Sequence, residues 1–235
     1  MKNILILFLF TVSLSGWAQI DSSKIKNFEY GINRFEKKFL IGGTFNSGWS
    51  RYLNFEGPEV FTKPSLGIYV KMEYYFKDWL GLSLGIGHQQ MGTGIISPDL
   101  EKALGNPDST YRLRIRTNNL AFPLVIQLRT PMDVFKGGRL SLGLGIAPSY
   151  AYNAKTIFHS LEDGFHDKQN ITDNLTKLDI PLRGTLGMDI NASNACLFRV
   201  NFLVQYGFNK LYTDPITNIS SGQNLLFGFD LDFLF

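Results

Sequence analysis

Every second residue from Gln223 to Phe235 belongs to a different kind of surface. Leu225, Phe227, Phe229, Leu231, Phe233 and Phe235 make one face, all large and apolar. Asn224, Leu226, Gly228, Asp230, Asp232 and Leu234 make the other, mostly small or polar. A period of two is the signature of a β-strand. One side must meet something apolar and the other something tight and polar. As an exposed edge, such a strand would invite aggregation. As a stave of a membrane barrel it is at home.

The same alternation recurs along the chain. Seven further strands are expected over residues 39–48, 65–76, 79–93, 111–130, 139–155, 177–191 and 196–211. The fourth changes apolar phase near Asn118-Asn119, which suggests a bulge there, and Pro123 marks a local irregularity. Short connections at Lys77-Asp78, 131–138 and 192–195 alternate with long ones at 49–64, 94–110, 156–176 and 212–222. Short turns on one side and long loops on the other are the pattern of an outer-membrane barrel. Aromatic residues gather toward both strand ends, as two interfacial girdles would. Trp49, Tyr52, Tyr150 and Tyr152 lie toward the loops, with Tyr74, Phe76, Trp79 and Phe198 toward the turns. The expected fold is therefore all-β, an eight-stranded antiparallel transmembrane β-barrel over residues 39–235.

Mean hydropathy is -0.02, which does not argue against a membrane, because alternating strands average to near zero. The net charge of +3 comes with no basic run, so no nucleic-acid partner is expected. Residues 1–18 read as a secretory signal: Lys2, an apolar run from Ile4 to Leu14, then Gly16-Trp17-Ala18. Cleavage is expected between Ala18 and Gln19. Residues 19–38 place Ile25, Phe28, Ile32 and Phe35 at helical spacing and read as a periplasmic lead-in or short amphipathic helix. Cys196 is the only cysteine, so a disulfide within the chain is excluded.

A soluble eight-stranded barrel of the lipocalin type shares this alternation. Volume argues against it: the apolar faces carry far more large side chains than an eight-stranded lumen can hold. The polar face belongs inside. It carries Lys71, Arg129, Arg183 and Arg199 against Glu73, Asp179, Asp189, Asp230 and Asp232. Neighbouring inward positions place Arg199 between Asp189 and either Asp230 or Asp232. A lumen-filling network of ion pairs is expected, because buried charges must be paired.

Candidate chemistry is sparse. His159 and His166 sit near Glu162, Asp163 and Asp167 in the third long connection, a constellation able to serve as a base or hold a metal. No nucleophile is fixed on a strand beside them, and strand-borne sites are the more accurate kind. No P-loop, HExxH or GxSxG pattern occurs. The expectation is a barrel without catalytic, metal or cofactor site. The alternatives are a lipid-modifying enzyme using His159 or His166, and a narrow pore or uptake accessory.

Four features resemble the PorT-like outer-membrane β-barrel family of Bacteroidota. They are the signal ending Trp17-Ala18-Gln19, the run NLAFPLVIQL from Asn119 to Leu128, GLGIAP from Gly143 to Pro148, and the aromatic final strand. The resemblance covers residues 39–235. It implies an outer-membrane lipid environment and, from the family's namesake, an accessory role in secretion or a surface complex with protein partners. The alternating aromatics also resemble the signal read by the barrel-assembly machinery, which would fall on Phe229, Phe233 and Phe235.

Overall fold

The computed structural model describes residues 38–53, 59–96, 111–134, 138–160, 166–193, 196–209 and 223–235. All belong to the unit Arg34–Phe235. The expected signal segment, its cleavage point at Ala18 and Gln19, and the lead-in up to residue 37 lie outside them.

Among the described residues twelve strands follow in order: β1 Phe39–Leu53, β2 Glu59–Lys77, β3 Leu80–Ile96, β4 Tyr111–Ala121, β5 Leu124–Arg129, β6 Gly138–Ile146, β7 Ser149–Ser160, β8 His166–Asn170, β9 Leu178–Asp179, β10 Leu182–Ser193, β11 Cys196–Tyr206 and β12 Gln223–Leu234. They form eight staves of one antiparallel ring. The fourth stave is β4 with β5, the fifth β6 with β7, and the sixth β8 with β9 and β10. The ring closes where β1 pairs β12, from Gly42 opposite Leu234 to Leu53 opposite Gln223. Closure satisfies the backbone groups that hydrocarbon cannot.

Ladder contact is very close at the closing seam. Gly48 faces Gly228. A Cβ on Gly48 would come within 2.2 Å of the Phe227 carbonyl oxygen, and one on Gly228 within 2.3 Å of that of Ser47. Only glycine fits both positions.

The strands run further toward the loop end than the sequence pattern suggests. β1 reaches Leu53, β2 begins at Glu59, β3 reaches Ile96 and β7 reaches Ser160. The reason is an exchange of faces. Along the membrane-facing part, Leu66, Ile68, Val70, Leu84, Ile86, Leu144 and Leu186 are exposed outward. Nearer the loops the apolar residues turn inward, and Tyr52, Ile95, Leu113, Ile115, Ala154, Ile171 and Leu175 form a buried cluster. A strand that reverses its polarity breaks the alternation that a reading from sequence follows.

Two expectations are corrected by this exchange. The fourth stave does not slip phase at Asn118-Asn119, because Leu113, Ile115, Thr117, Asn119 and Ala121 all stay buried on one face. The expected bulge is present at Asn118-Asn119, with its extra residue on the partner strand β7: Asn118 pairs Asn153 and Asn119 pairs Ala151, leaving Tyr152 extra. Tyr52 is buried in the lumen, away from any girdle.

Pro123, Pro148 and Pro181 interrupt adjacent staves at one level. None offers an N–H, but each carbonyl still accepts from the neighbouring stave. Gly85 N–H donates to Pro123 at 2.9 Å, Phe122 N–H to Pro148 at 2.7 Å and Ala147 N–H to Pro181 at 2.9 Å. The wall is stitched there by fewer bonds than elsewhere.

Two outcomes are expected. In hydrogen exchange, the amides of Gly85, Phe122 and Ala147 exchange faster than those of the β1–β12 ladder, since local opening is easiest where bonds are fewest. Gly228→Val costs about 1–3 kcal/mol of barrel stability by overpacking, seen as a lower urea midpoint in lipid vesicles.

Candidate functional site: the lumenal charge network

The inward face is layered from the short-turn end upward. Its floor is apolar: Leu40, Tyr75, Leu197 and Leu234, all buried. Above it stands Arg199, with 0% exposure. Its position is set by register, which places it beside Asp189 of β10 and Asp232 of β12. Its Nε and Nη2 donate to the two Asp189 oxygens at 2.5 and 2.9 Å. Nη1 and Nη2 donate to Glu73 at 2.6 and 3.1 Å. Nη2 also reaches the Tyr75 hydroxyl at 3.0 Å, which donates to Glu73 at 2.9 Å. Nη1 lies 3.5 Å from Asp232.

Lys71 completes the layer, with Nζ 2.7 Å from Asp232 and 3.2 Å from Glu73. Arg129 stacks on Tyr75 at 3.4 Å from the ring centroid, and its Nε is 3.6 Å from Asp189. Three cations thus meet three carboxylates. Two-pronged guanidinium–carboxylate contacts of this kind are strong and directional. Dense pairing is what lets such charges leave water.

The next layer is another neutral pair among amides. Arg183 Nη2 donates to Asp230 at 2.5 Å, and Asn46 donates to the same carboxylate at 2.8 Å. Gln89 donates to Asn46 at 3.2 Å and to the Ser65 hydroxyl at 2.8 Å, and accepts from the Tyr69 hydroxyl. Met91, Leu203 and Leu226 cap this layer, and the apolar cluster around Tyr52 and Ile115 closes the loop end. Between the layers lie cavities of about 20 Å³, beside Lys71 and Asp230, and about 10 Å³, beside Asn119 and Asp179. Each has room for about one water.

Of the nine lumen charges named from the sequence, the fold brings eight into ion pairs. Asp179 stands apart, buried in β9 opposite Ser149. It makes no salt bridge among the described residues. It lies beyond the Pro181 break, and the next cation along the stave, Arg183, is turned to Asp230. Sequence spacing also missed one two-pronged partner of Arg199. Glu73 stands on β2, which is not adjacent to β11, so the contact crosses the lumen and has no signature in local pattern. Arg139, buried at the short-turn end, pairs with Asp133 at 2.9 Å.

The other candidates sit elsewhere. His159 and His166 are opposite one another across the β7–β8 ladder; Glu162 and Asp163 lie outside the described residues. Among the described residues no group of three or more His, Cys, Asp or Glu could hold a metal ion. Phe229, Phe233 and Phe235 are half-exposed on the outer wall. Phe202 and Phe198 of β11 lie beside two of them, with ring centroids 5.9 Å from Phe229 and 5.0 Å from Phe233.

A closed ring with an apolar exterior, a paired polar interior and short turns at one end is how a chain crosses an outer membrane. The sequence matches the family described as outer membrane protein beta-barrel domain over residues 17–213. The chain belongs to that family. It is an outer-membrane β-barrel protein, and the short-turn end is the periplasmic end of such barrels. No curated protein matches it. Among solved structures it is similar to Ail, the attachment invasion locus protein of Yersinia pestis. That match has 13% identity and a TM-score of 0.40, covering 85% of this chain and 100% of that one. Neisserial surface protein A matches at 10% identity with a TM-score of 0.41, covering 85% and 98%. OprG from Pseudomonas aeruginosa matches at 15% identity with a TM-score of 0.40, covering 83% and 95%.

Removing Arg199 tests the network. Arg199→Met leaves Glu73, Asp189 and Asp232 with too few cations and lowers barrel stability by about 3–5 kcal/mol, measured by urea unfolding in vesicles. The paired change Arg199→Met with Glu73→Gln recovers part of that loss.

Proposed function

We propose that this protein is a non-conducting outer-membrane barrel that works through its outer wall, its loops and its partners. The observation that carries the reading is the layered filling of the lumen. An apolar floor, an Arg199-centred charge layer, an amide layer and an apolar cap follow one another among the described residues, and the cavities beside Lys71 and beside Asn119 each have room for about one water. An ion crossing such a lumen would have to displace paired charges, which is costly.

Within that reading, the run Asn119–Leu128 and the Gly143–Pro148 segment support membership of the PorT-like barrels of Bacteroidota, and with it an accessory role in secretion or a surface complex. Both segments lie in the wall where Pro123 and Pro148 interrupt adjacent staves. The reading includes an N-terminal signal removed between Ala18 and Gln19. It also includes recognition of Phe229, Phe233 and Phe235 by the barrel-assembly machinery, supported by their shared outward exposure.

Planar-bilayer recording tests the central statement. The purified protein is expected to give no steady conductance in concentrated KCl. Regular unitary steps from the wild-type chain would overturn the reading in favour of a narrow pore.

A further inference from the structure

Above the lipid-facing band, the wall holds a groove of about 420 Å³ whose lining includes Lys63, Gln90, Arg114 and Arg116 beside apolar Pro64 and Ile157. Its origin is a gap in one ladder. β2 pairs β3 up to Leu66 opposite Gln90 and resumes at Thr62 opposite Thr93, so the strands part between these points. Backbone groups left without a strand partner must be satisfied some other way. Two hydroxyls do it from the lumenal side. Ser65 donates to the Gln90 carbonyl at 2.6 Å, and Ser50 reaches the Gly92 N–H and carbonyl, each at 2.8 Å. The gap is therefore a finished feature of the wall.

The groove's floor and sides are equally specific. Gly92 and Gly94 occupy outward positions of β3, where a Cβ would strike the Ile115 carbonyl oxygen at 2.5 Å or the Phe61 ring at 2.1 Å. Lys63 Nζ rests 4.4 Å from the Phe61 ring centroid. Across the floor, Arg116 donates to the Gln90 side-chain oxygen. The Nε of Arg114 is buried and meets no acceptor among the described residues. Neither of these outward arginines forms a salt bridge among the described residues, whereas the lumenal Arg129, Arg139, Arg183 and Arg199 each meet a carboxylate.

We propose that this groove binds the phosphorylated head group of a glycolipid in the outer leaflet. Three observations select that occupant. Among the described residues, the groove is lined by three cations and by no acidic side chain, and guanidinium groups suit phosphate oxygens in geometry and charge. It opens directly above outward-facing Leu66, Ile68 and Leu120, so a lipid whose chains lie on that apolar band presents its head group at this height. The Tyr152 hydroxyl and His88 Nδ1, 3.0 Å apart and exposed, mark the polar boundary on the same flank, where amphipathic rings settle.

The test uses the full barrel in detergent, with lipid A as probe and native mass spectrometry as readout. Retained lipid A is expected, with affinity falling about tenfold or more in Arg114→Gln and in Arg116→Gln, the loss of a charge-assisted contact. Lipid A stripped of its phosphates should bind as weakly to the wild type as intact lipid A does to the variants. Lys77→Gln, at the periplasmic end, should change nothing. Heat-modifiable migration of each variant shows that the barrel still folds. Equal binding by the arginine variants, or equal binding of dephosphorylated lipid, overturns the proposal. So does inorganic phosphate that competes at concentrations equimolar with lipid A, which would make this a site for the free ion. Loss of lipid binding together with a silent barrel in bilayer recording leaves the filled-lumen reading intact, so the two statements fail separately.

Discussion

Hydrocarbon offers no hydrogen bonds to a peptide backbone, and everything in this protein follows from that. A sheet placed in a membrane must have no edge, so β1 has to find β12. Closing eight staves leaves a lumen only wide enough for side chains. The inward residues must then fill a narrow tube while the outward ones dissolve in lipid. Gly48 and Gly228, facing each other at the closing seam, show how tight the closure is.

The tube is filled with charge, and the charge is balanced. Arg199 serves three carboxylates on three different staves, and Lys71 and Arg129 supply the remaining positive charge of that layer. Because Glu73 is reached across the lumen, the contact ties together staves that share no ladder. The network therefore acts as an internal brace as well as a plug. Its weight in the structure lies in the penalty for breaking it: any one partner removed leaves a buried charge that cannot return to water.

Beyond the lipid the wall changes character. The inward face becomes apolar around Tyr52, Leu113 and Ile115, and the outward face carries Arg114, Arg116 and Lys155. This is the polarity of a water-soluble protein, built on the same strands. The extra residue Tyr152 in β7 shifts that strand's alternation at the change of medium, so that Ala154 and Thr156 continue inward where Ala151 left off. The parting of β2 from β3 lies in the same zone. Both of these irregularities fall where lipid no longer demands a complete ladder, and that is where the basic groove occurs.

Alternation by itself determined most of the fold. The outward apolar face and inward polar face of β12, β2 and β11 are legible residue by residue, because a strand's side-chain period is fixed by its backbone. The inward placement of Lys71, Glu73, Arg183, Arg199, Asp230 and Asp232 follows from the same rule. What only the tertiary structure decided is which of them touch. Cross-lumen contacts such as Glu73 with Arg199 depend on ring size and stagger, which no local pattern encodes. Asp179 stands apart because a proline break and an already engaged Arg183 intervene. The groove was hidden for the same reason: Lys63, Arg114 and Arg116 are ordinary polar residues in sequence, and become a site only where one strand leaves another.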